Sequence, residues 1–343
     1  MGQQQESTLS VSYDKIKKPL CKPRCKRVKP RACSVVYKGE RKTEGRRLAT
    51  PSPSPEMESW MDKLSMYNQS KASKTIENIT LGENTIKTWY RSAYPARSVS
   101  KSGNVVICET CLGYMPSTSD LLSHKCSLSH PPGARVYKED HLVVFRVDGA
   151  VEETYCQNLC LMAKLFMEQK TLYFDVEPFL FYVFCQVDDN GCYHPVGYFS
   201  KEKECEKYNL SCIVVLPPYQ RFGYGKLMIS LSYEISILEG KTGSPEKPLS
   251  SLGQKSYMAY WKTTVLRHLV ENSGKQLSMV ELSKRTGICE SDVLETLVEL
   301  RILKSQRSSK VDARHSVAKS YLVSILKDCK KFRSVDPSLI KIM

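Results

Sequence analysis

The chain has 343 residues, 41% of them apolar and 25% charged, and a formal net charge of +15. At ~150 residues per domain this length predicts about two domains with packed cores. No run approaches the ~20 consecutive apolar residues of a membrane span and no basic-then-apolar leader opens the chain, so a membrane or secreted protein is not expected.

The 14 cysteines are therefore expected in a reducing compartment, where metal binding or catalysis is a sharper reading than a disulfide framework. Most of them, including Cys156, Cys160, Cys185, Cys192, Cys205, Cys289 and Cys329, read as small core residues or inert thiols.

Residues 1–75 carry a net +10, have few large apolar residues and show no sustained periodicity. Such a segment cannot bury enough apolar surface to offset its ordering entropy, so it reads as a disordered basic tail. Its run Lys22-Pro-Arg-Cys-Lys-Arg-Val-Lys-Pro-Arg31 fits nuclear localisation or nucleic-acid contact. Cys21, Cys25 and Cys33 lack the partners of a zinc set.

Residues 76–130 carry +1 and hold short strand-like runs followed by a metal-spaced cluster. Cys108-Glu-Thr-Cys111, then His124 and Cys126, supply three thiolates and an imidazole, a tetrahedral zinc set. Four protein ligands leave no open position, so the metal would be structural. The one-residue gap between His124 and Cys126 is shorter than the usual spacing of roughly three to five. A finger that packs without metal, and His130 as a substitute ligand, remain open.

Residues 131–260 carry −3 and alternate strands with helices. Strands are predicted at 141–147, 171–176, 179–187, 195–200 and 210–216, with a hairpin turn at Asp189-Asn-Gly191. Helical spacing predicts helices over 157–167 and 226–238. Residues 261–343 carry +7 and read as helical. One helix covers 254–271; Ser278-Met-Val-Glu281 is a capping box opening a second; Thr286-Gly287 breaks it; a third spans 291–300. The last two form a helix-turn-helix pattern.

The most informative segment is Leu216-Pro-Pro-Tyr-Gln-Arg-Phe-Gly-Tyr-Gly-Lys226. A strand ends at two prolines, and a glycine-spaced loop opens a helix. Gly223 and Gly225 let backbone N–H groups turn toward a ligand. The helix N-terminus favours a pyrophosphate, and Arg221 and Lys226 add charge-assisted bonds. It is neither a Walker A loop nor a Rossmann fingerprint.

This loop resembles the acetyl-coenzyme A motif of the GNAT superfamily. Its surroundings resemble the MYST family of histone acetyltransferases. The matching stretches are His130-Pro-Pro-Gly133, Tyr155 to Cys160, Lys170 to Pro178, Val196 to Lys203, Cys212, the Gln220 to Lys226 loop, Gly243 to Ser250, and the C2HC pattern at 108–126. Together they cover about residues 76–310 and are most similar to the males-absent-on-the-first branch.

The resemblance implies an α/β (α+β) fold. A GNAT-like coenzyme-binding core (131–260) would follow a finger-bearing lobe (76–130) and precede a helical lobe with a helix-turn-helix (261–343). It also implies a protein-lysine acetyltransferase with acetyl-CoA as cosubstrate and structural zinc on Cys108, Cys111, His124 and Cys126. Glu246 falls on the general base, Cys212 on the active-site cysteine, an acyl acceptor or a lining residue, and Lys170 on the autoacetylated lysine. Ile213, Val214 and Val215 would offer strand-edge groups to the coenzyme. Gln220, Arg221, Phe222, Gly223, Tyr224, Gly225 and Lys226 would hold its pyrophosphate, and Ser250 would touch its far end.

The implied partners are core histones, the fourth most of all, nucleosomes and a multiprotein chromatin complex in the nucleus, with DNA contact through the basic ends. The acidic centre agrees with a basic polypeptide substrate. Gln169, Ser251, Met258 and Ala259 depart from the family pattern. With the short finger, the last two leave room for a catalytically weak interaction subunit. The finger, helix-turn-helix and basic ends leave room for a DNA-binding regulator.

Overall fold

The computed structural model describes residues 8–12, 76–170, 173–273, 275–303, 315–329 and 333–341. The first described element, β1 (Thr8–Ser12), falls inside the stretch expected to be a disordered tail. The basic run and Cys21, Cys25 and Cys33 lie outside the described residues.

β2 (Asn78–Leu81), β3 (Asn84–Lys87), β4 (Asn104–Ile107) and β5 (Tyr114–Met115) form one sheet of order β3-β2-β4-β5. Ile79, Leu81, Val105 and Ile107 bury its inner face. A short helix, α1 (Thr118–Ser123), follows; the Ser117 hydroxyl caps it by accepting from the Asp120 N–H at 3.2 Å.

The centre of the molecule comprises β6 (Ala134–Glu139), β7 (Leu142–Asp148), α2 (Glu153–Lys164), β8 (Phe179–Val187), β9 (Tyr193–Glu202), β10 (Tyr208–Leu210) and β11 (Cys212–Val215). Five strands pair antiparallel in the order β11-β9-β8-β7-β6. Side chains alternate across a strand, so each face has its own core. Val143, Phe145, Val147, Phe181 and Val183 face α2 with Tyr155, Leu159 and Met162. Val144, Tyr182, Phe184 and Phe199 face the other way, where Leu227, Met228, Leu231 and Ile235 cover them. Burial on both faces explains why Phe179 to Val187 reads as a nearly unbroken apolar run.

Of the strand expected over 171–176, the described residues 173–176 form none. Residues 173–178 make bends and a turn. The Val176 N–H bonds to the Phe174 carbonyl, and the Val176 carbonyl lies where a Cβ on Gly149 would be, 1.9 Å away. The segment is thus folded against the sheet rather than paired with it.

The chain continues through α3 (Tyr224–Leu238), β12 (Ser244–Pro245), α4 (Ser251–Glu271), β13 (Gln276–Ser278), α5 (Met279–Thr286), α6 (Glu290–Glu299), β14 (His315–Ala318) and α7 (Lys319–Asp328). Trp261, Val265, Leu269, Leu282, Val293, Leu297 and Leu322 form the core of the C-terminal lobe. The Trp261 indole N–H donates to the Tyr233 hydroxyl at 2.8 Å, joining α4 to α3. Ser278 caps α5 by accepting from the Glu281 N–H at 3.1 Å. Gly287 ends α5 with φ +69°, a left-handed conformation that suits glycine. β1 lies between β13, its parallel partner, and β14, its antiparallel one. The N-terminal strand therefore belongs to the sheet of this lobe. No helix among the described residues is long and apolar enough to cross a membrane.

Candidate active site and metal centre

Cys108, Cys111, His124 and Cys126 come together, with their ligand atoms all within 4.8 Å of one another. A tetrahedron of ~2.3 Å bonds has edges of roughly 3.8 Å, so three sulfurs and an imidazole fit structural zinc. The tight turn after Cys108 is held by the Leu112 N–H on the Cys108 carbonyl and the Cys108 N–H on the Gly113 carbonyl, both 2.9 Å.

The short His124–Cys126 gap has a simple solution. The chain leaves α1 at His124 with extended backbone (φ −68°, ψ 118°), and extended residues two apart share a face. The longer spacing suits ligands on a helix, and here the helix has already ended. His130 is not recruited. Its Nδ1–H donates to the Pro131 carbonyl at 2.7 Å and its ring stacks on Phe145 at 5.3 Å. Burial pushes the Cys111 thiol up to about 12; a bound metal ion would favour the thiolate instead.

The glycine-led loop sits where expected, at the N-terminus of α3. Gly223 is the N-cap residue with φ +94° and no capping side chain. A Cβ there would meet no atom within 4 Å, so the space before the helix is open. Arg221 also has a positive φ, +70°, which costs a non-glycine residue energy and is typical of functional loops. Gln220 folds back, its amide N–H donating to the Val215 carbonyl at 2.9 Å. Phe222 is 77% exposed. The Gln186 amide donates to the Tyr224 hydroxyl.

β11 is the edge strand of the sheet, so Ile213, Val214 and Val215 lie on a backbone with one unpaired side. A β-bulge in β9 opposite Phe184 and Cys185, at Pro195 to Gly197, bends the neighbouring strand. Gly197 is required there, because a Cβ would lie 2.2 Å from the Val214 carbonyl. Ser250 is the N-cap of α4, its hydroxyl accepting from the Gly253 N–H at 3.1 Å.

Glu246 is exposed, and its backbone N–H bonds to the Leu210 carbonyl at 2.8 Å, two residues before Cys212. Its carboxylate makes no hydrogen bond or ion pair among the described residues. Partial desolvation, and then the Glu202 charge, raise it above the usual carboxylate range.

Lys170 reaches the same place. Its ammonium donates to the Cys212 thiol at 3.8 Å. The Tyr198 hydroxyl lies 3.9 Å from both Cys212 and Cys160, and the Cys212 thiol points at the Met167 sulfur at 3.6 Å. Burial alone would lower the Lys170 pKa; the adjacent Cys212 and Cys160 sulfurs outweigh it and raise the amine above its ordinary value. Cys160 and Tyr198 were not legible as members of this group. They come from α2 and β9, and only the tertiary fold brings them to β11.

An edge strand running into an uncapped, glycine-led helix, joined to a Cys3His cluster, defines a mixed α/β domain with an N-terminal finger. Residues 130–340 match the MOZ/SAS family, and residues 73–127 match the MYST family zinc finger domain. The chain belongs to this family.

Similar proteins include histone acetyltransferase KAT6A of Homo sapiens, 54% identical over 228 residues, 66% of this chain and 11% of that one. Histone acetyltransferase esa1 of Emericella nidulans is 49% identical over 234 residues, 67% of this chain and 46% of the relative. The Histone acetyltransferase Tip60 homolog of Caenorhabditis elegans is 41% identical over 289 residues, 81% of this chain and 63% of the relative. The chain thus spans less than two thirds of each of these relatives.

Proposed function

We propose that this chain is a protein-lysine acetyltransferase that uses acetyl-CoA and acts on lysines of core-histone tails, in the nucleus and within a chromatin complex. The observation that carries this reading is what β11 (Cys212–Val215) brings together. It offers an unpaired strand edge, leads through Leu216 to Phe222 into the open N-terminus of α3, and follows Leu210, whose carbonyl holds the backbone of Glu246, a carboxylate with no bonding partner among the described residues.

Acetyl-CoA supplies, when bound, an acetyl thioester. Gln220 to Lys226 would receive its pyrophosphate through the free N–H groups at the start of α3 and the Arg221 and Lys226 cations. The backbone of Ile213 to Val215 would carry the pantetheine arm, and Ser250 its far end. A substrate lysine has an ordinary pKa of ~10.4 and is protonated at neutral pH. Glu246 would accept that proton so that the amine can attack the thioester carbonyl; the C–N bond forms, the C–S bond breaks, and the thiol leaves. Cys212 lines the place of transfer, and Lys170 beside it is the proposed site of self-acetylation. Zinc on Cys108, Cys111, His124 and Cys126 would hold the finger rather than take part.

The charge distribution supports a basic polypeptide as acceptor; the family resemblance, rather than the charge, favours the tail of the fourth core histone. DNA contact through the second helix of the helix-turn-helix is not supported: α6 carries Glu290, Asp292, Glu295 and Glu299 and no Lys or Arg. Met258 packs against the C-terminal core, which gives that departure a structural role. Within the family, motif resemblance supports the males-absent-on-the-first branch; the relatives compared above bear other names. Transfer of labelled acetyl groups to core histones and nucleosomes, with mass spectrometry of the modified lysines, tests the proposal. A folded protein that binds acetyl-CoA and transfers nothing would refute it.

A further inference from the structure

The Glu246 carboxylate takes its direction from its backbone, since among the described residues no side chain holds it. That backbone is anchored on two sides. Toward β10, which pairs with β12 in a separate two-stranded sheet, the Ser244 N–H bonds to the Lys207 carbonyl at 3.3 Å and the Glu246 N–H to the Leu210 carbonyl at 2.8 Å. Toward the C-terminal lobe, the Gly243 N–H bonds to the Gly287 carbonyl at 2.8 Å and the Cys289 N–H to the Gly243 carbonyl at 3.0 Å. These last two bonds fall on the turn between α5 and α6. Pro245 and Pro248 fix φ on either side of Glu246 and Lys247, so few torsions remain free.

The final anchor is the residue next to Glu246. The Lys247 ammonium donates to Asp292 Oδ1 at 2.8 Å. Asp292 stands in the first turn of α6 and is completely buried, while the Lys247 side chain is 45% exposed. Asp292 Oδ2 is buried with no partner. A buried carboxylate with an orphan oxygen is a poor way to stabilise a lobe, and an apolar residue would serve packing better. Its ion-pair partner among the described residues is Lys247, adjacent to Glu246.

We infer that Asp292 is a positioning residue for Glu246, acting through Lys247, and that it ties the helix-turn-helix of the C-terminal lobe to the chemistry. This rests on Glu246 being the base. Asp292 has no exposed surface, so it cannot touch either substrate. Whatever it does for transfer it does through the loop. Partial burial alone would lower the Lys247 pKa; the bond to Asp292 outweighs it and holds the amine above its ordinary value.

The test is steady-state kinetics of the full chain with histone as acceptor, on Asp292→Asn, Lys247→Met, Lys247→Arg, the Asp292→Asn/Lys247→Met double variant and Glu246→Gln. Leu297→Ala, a cavity variant buried in the same helix, controls for stability. A misplacement of ~1 Å can cost about 100-fold in rate. Asp292→Asn is expected to lower kcat about 10- to 100-fold, with KM for acetyl-CoA within about twofold of the parent. Lys247→Met should do the same and the double variant no more than either alone, whereas Lys247→Arg should keep most of kcat. Leu297→Ala should lower Tm and leave kcat intact.

Lys247→Met strands a buried carboxylate and can unfold the lobe; Asp292→Asn, which leaves a cation that reaches water, decides the question alone. Wild-type kcat in Asp292→Asn, with Glu246→Gln inactive, would overturn the positioning role and spare the base. So would a loss of kcat in Asp292→Asn that Leu297→Ala reproduces. Wild-type kcat in Glu246→Gln would overturn the base itself.

Discussion

Two helices that open after a turn, α3 and α6, end their N-termini in opposite ways. At α6 the positive end of the helix is answered from within the chain: Glu290 and Asp292 stand in the first turn, and Asp292 is buried there. At α3 no acid of its own first turn does so. The N-cap is Gly223, and Arg221 and Lys226 add further positive charge. Neither N-cap residue bonds the helix through its side chain, so the contrast lies in the charge of the first turn: acids there stabilise the protein's own helix, and an N-terminus without them is left to an anion. On the proposed function, α3 is the unit that faces the coenzyme and α6 the structural one.

The strongest way to break that contrast is to give α3 the carboxylate that α6 has. Gly223→Asp should fill the open space and answer the dipole from within, raising the acetyl-CoA dissociation constant by about 100-fold in a calorimetric titration; charge-assisted bonds of roughly 1.5–3 kcal/mol are at stake. Unchanged affinity would mean that the coenzyme does not use this helix. Arg221→Gly comes next. Glycine tolerates the positive φ of that position, so the change removes the cation while relieving strain. Binding should weaken about tenfold with Tm unchanged or slightly raised.

A smaller effect separates the two ends by pH. Glu246 must be ionised to act, and its pKa is raised by desolvation and by the Glu202 charge. Activity should therefore fall, as pH falls, at a higher pH than an ordinary glutamate would set, ~4.3. Glu202→Gln removes one of the causes and should move that acid limb of kcat/KM downward; a limb that stays put would remove Glu202 from the site. The smallest effect lies on the structural side. Ser278→Ala deletes the cap of α5 and should cost about 1 kcal/mol of stability in a denaturant titration, with coenzyme affinity unaltered.

How far these features were legible depends on whether the signal was local. Phe179 to Val187 was readable to the residue, because burial on both faces writes a continuous apolar run. The loop before α3, the cap at Ser278 and the break at Gly287 are local too, and each stands where the sequence pattern put it. The expectation of a strand over 171–176 rested on aromatic and β-branched content, which marks a chain that could pair; the described residues 173–176 instead bend against the sheet, where the Val176 carbonyl approaches Gly149. β1 was hidden for the converse reason: Thr8 to Ser12 owes its strand to β13 and β14, more than 260 residues away. The finger spacing looked defective only while both ligands were imagined on one helix. Asp292 carried no local sign at all. In sequence it is one more acid in a helix, and its meaning comes from Lys247.

The central claim is that Glu246 performs proton transfer beside a coenzyme held by α3. The most direct measurement pairs labelled acetyl transfer to core histones with calorimetric binding of acetyl-CoA, on the parent chain and on Glu246→Gln. The account predicts that transfer falls by at least about 100-fold while coenzyme affinity stays within about twofold of the parent. Transfer at the parental rate by Glu246→Gln would contradict it.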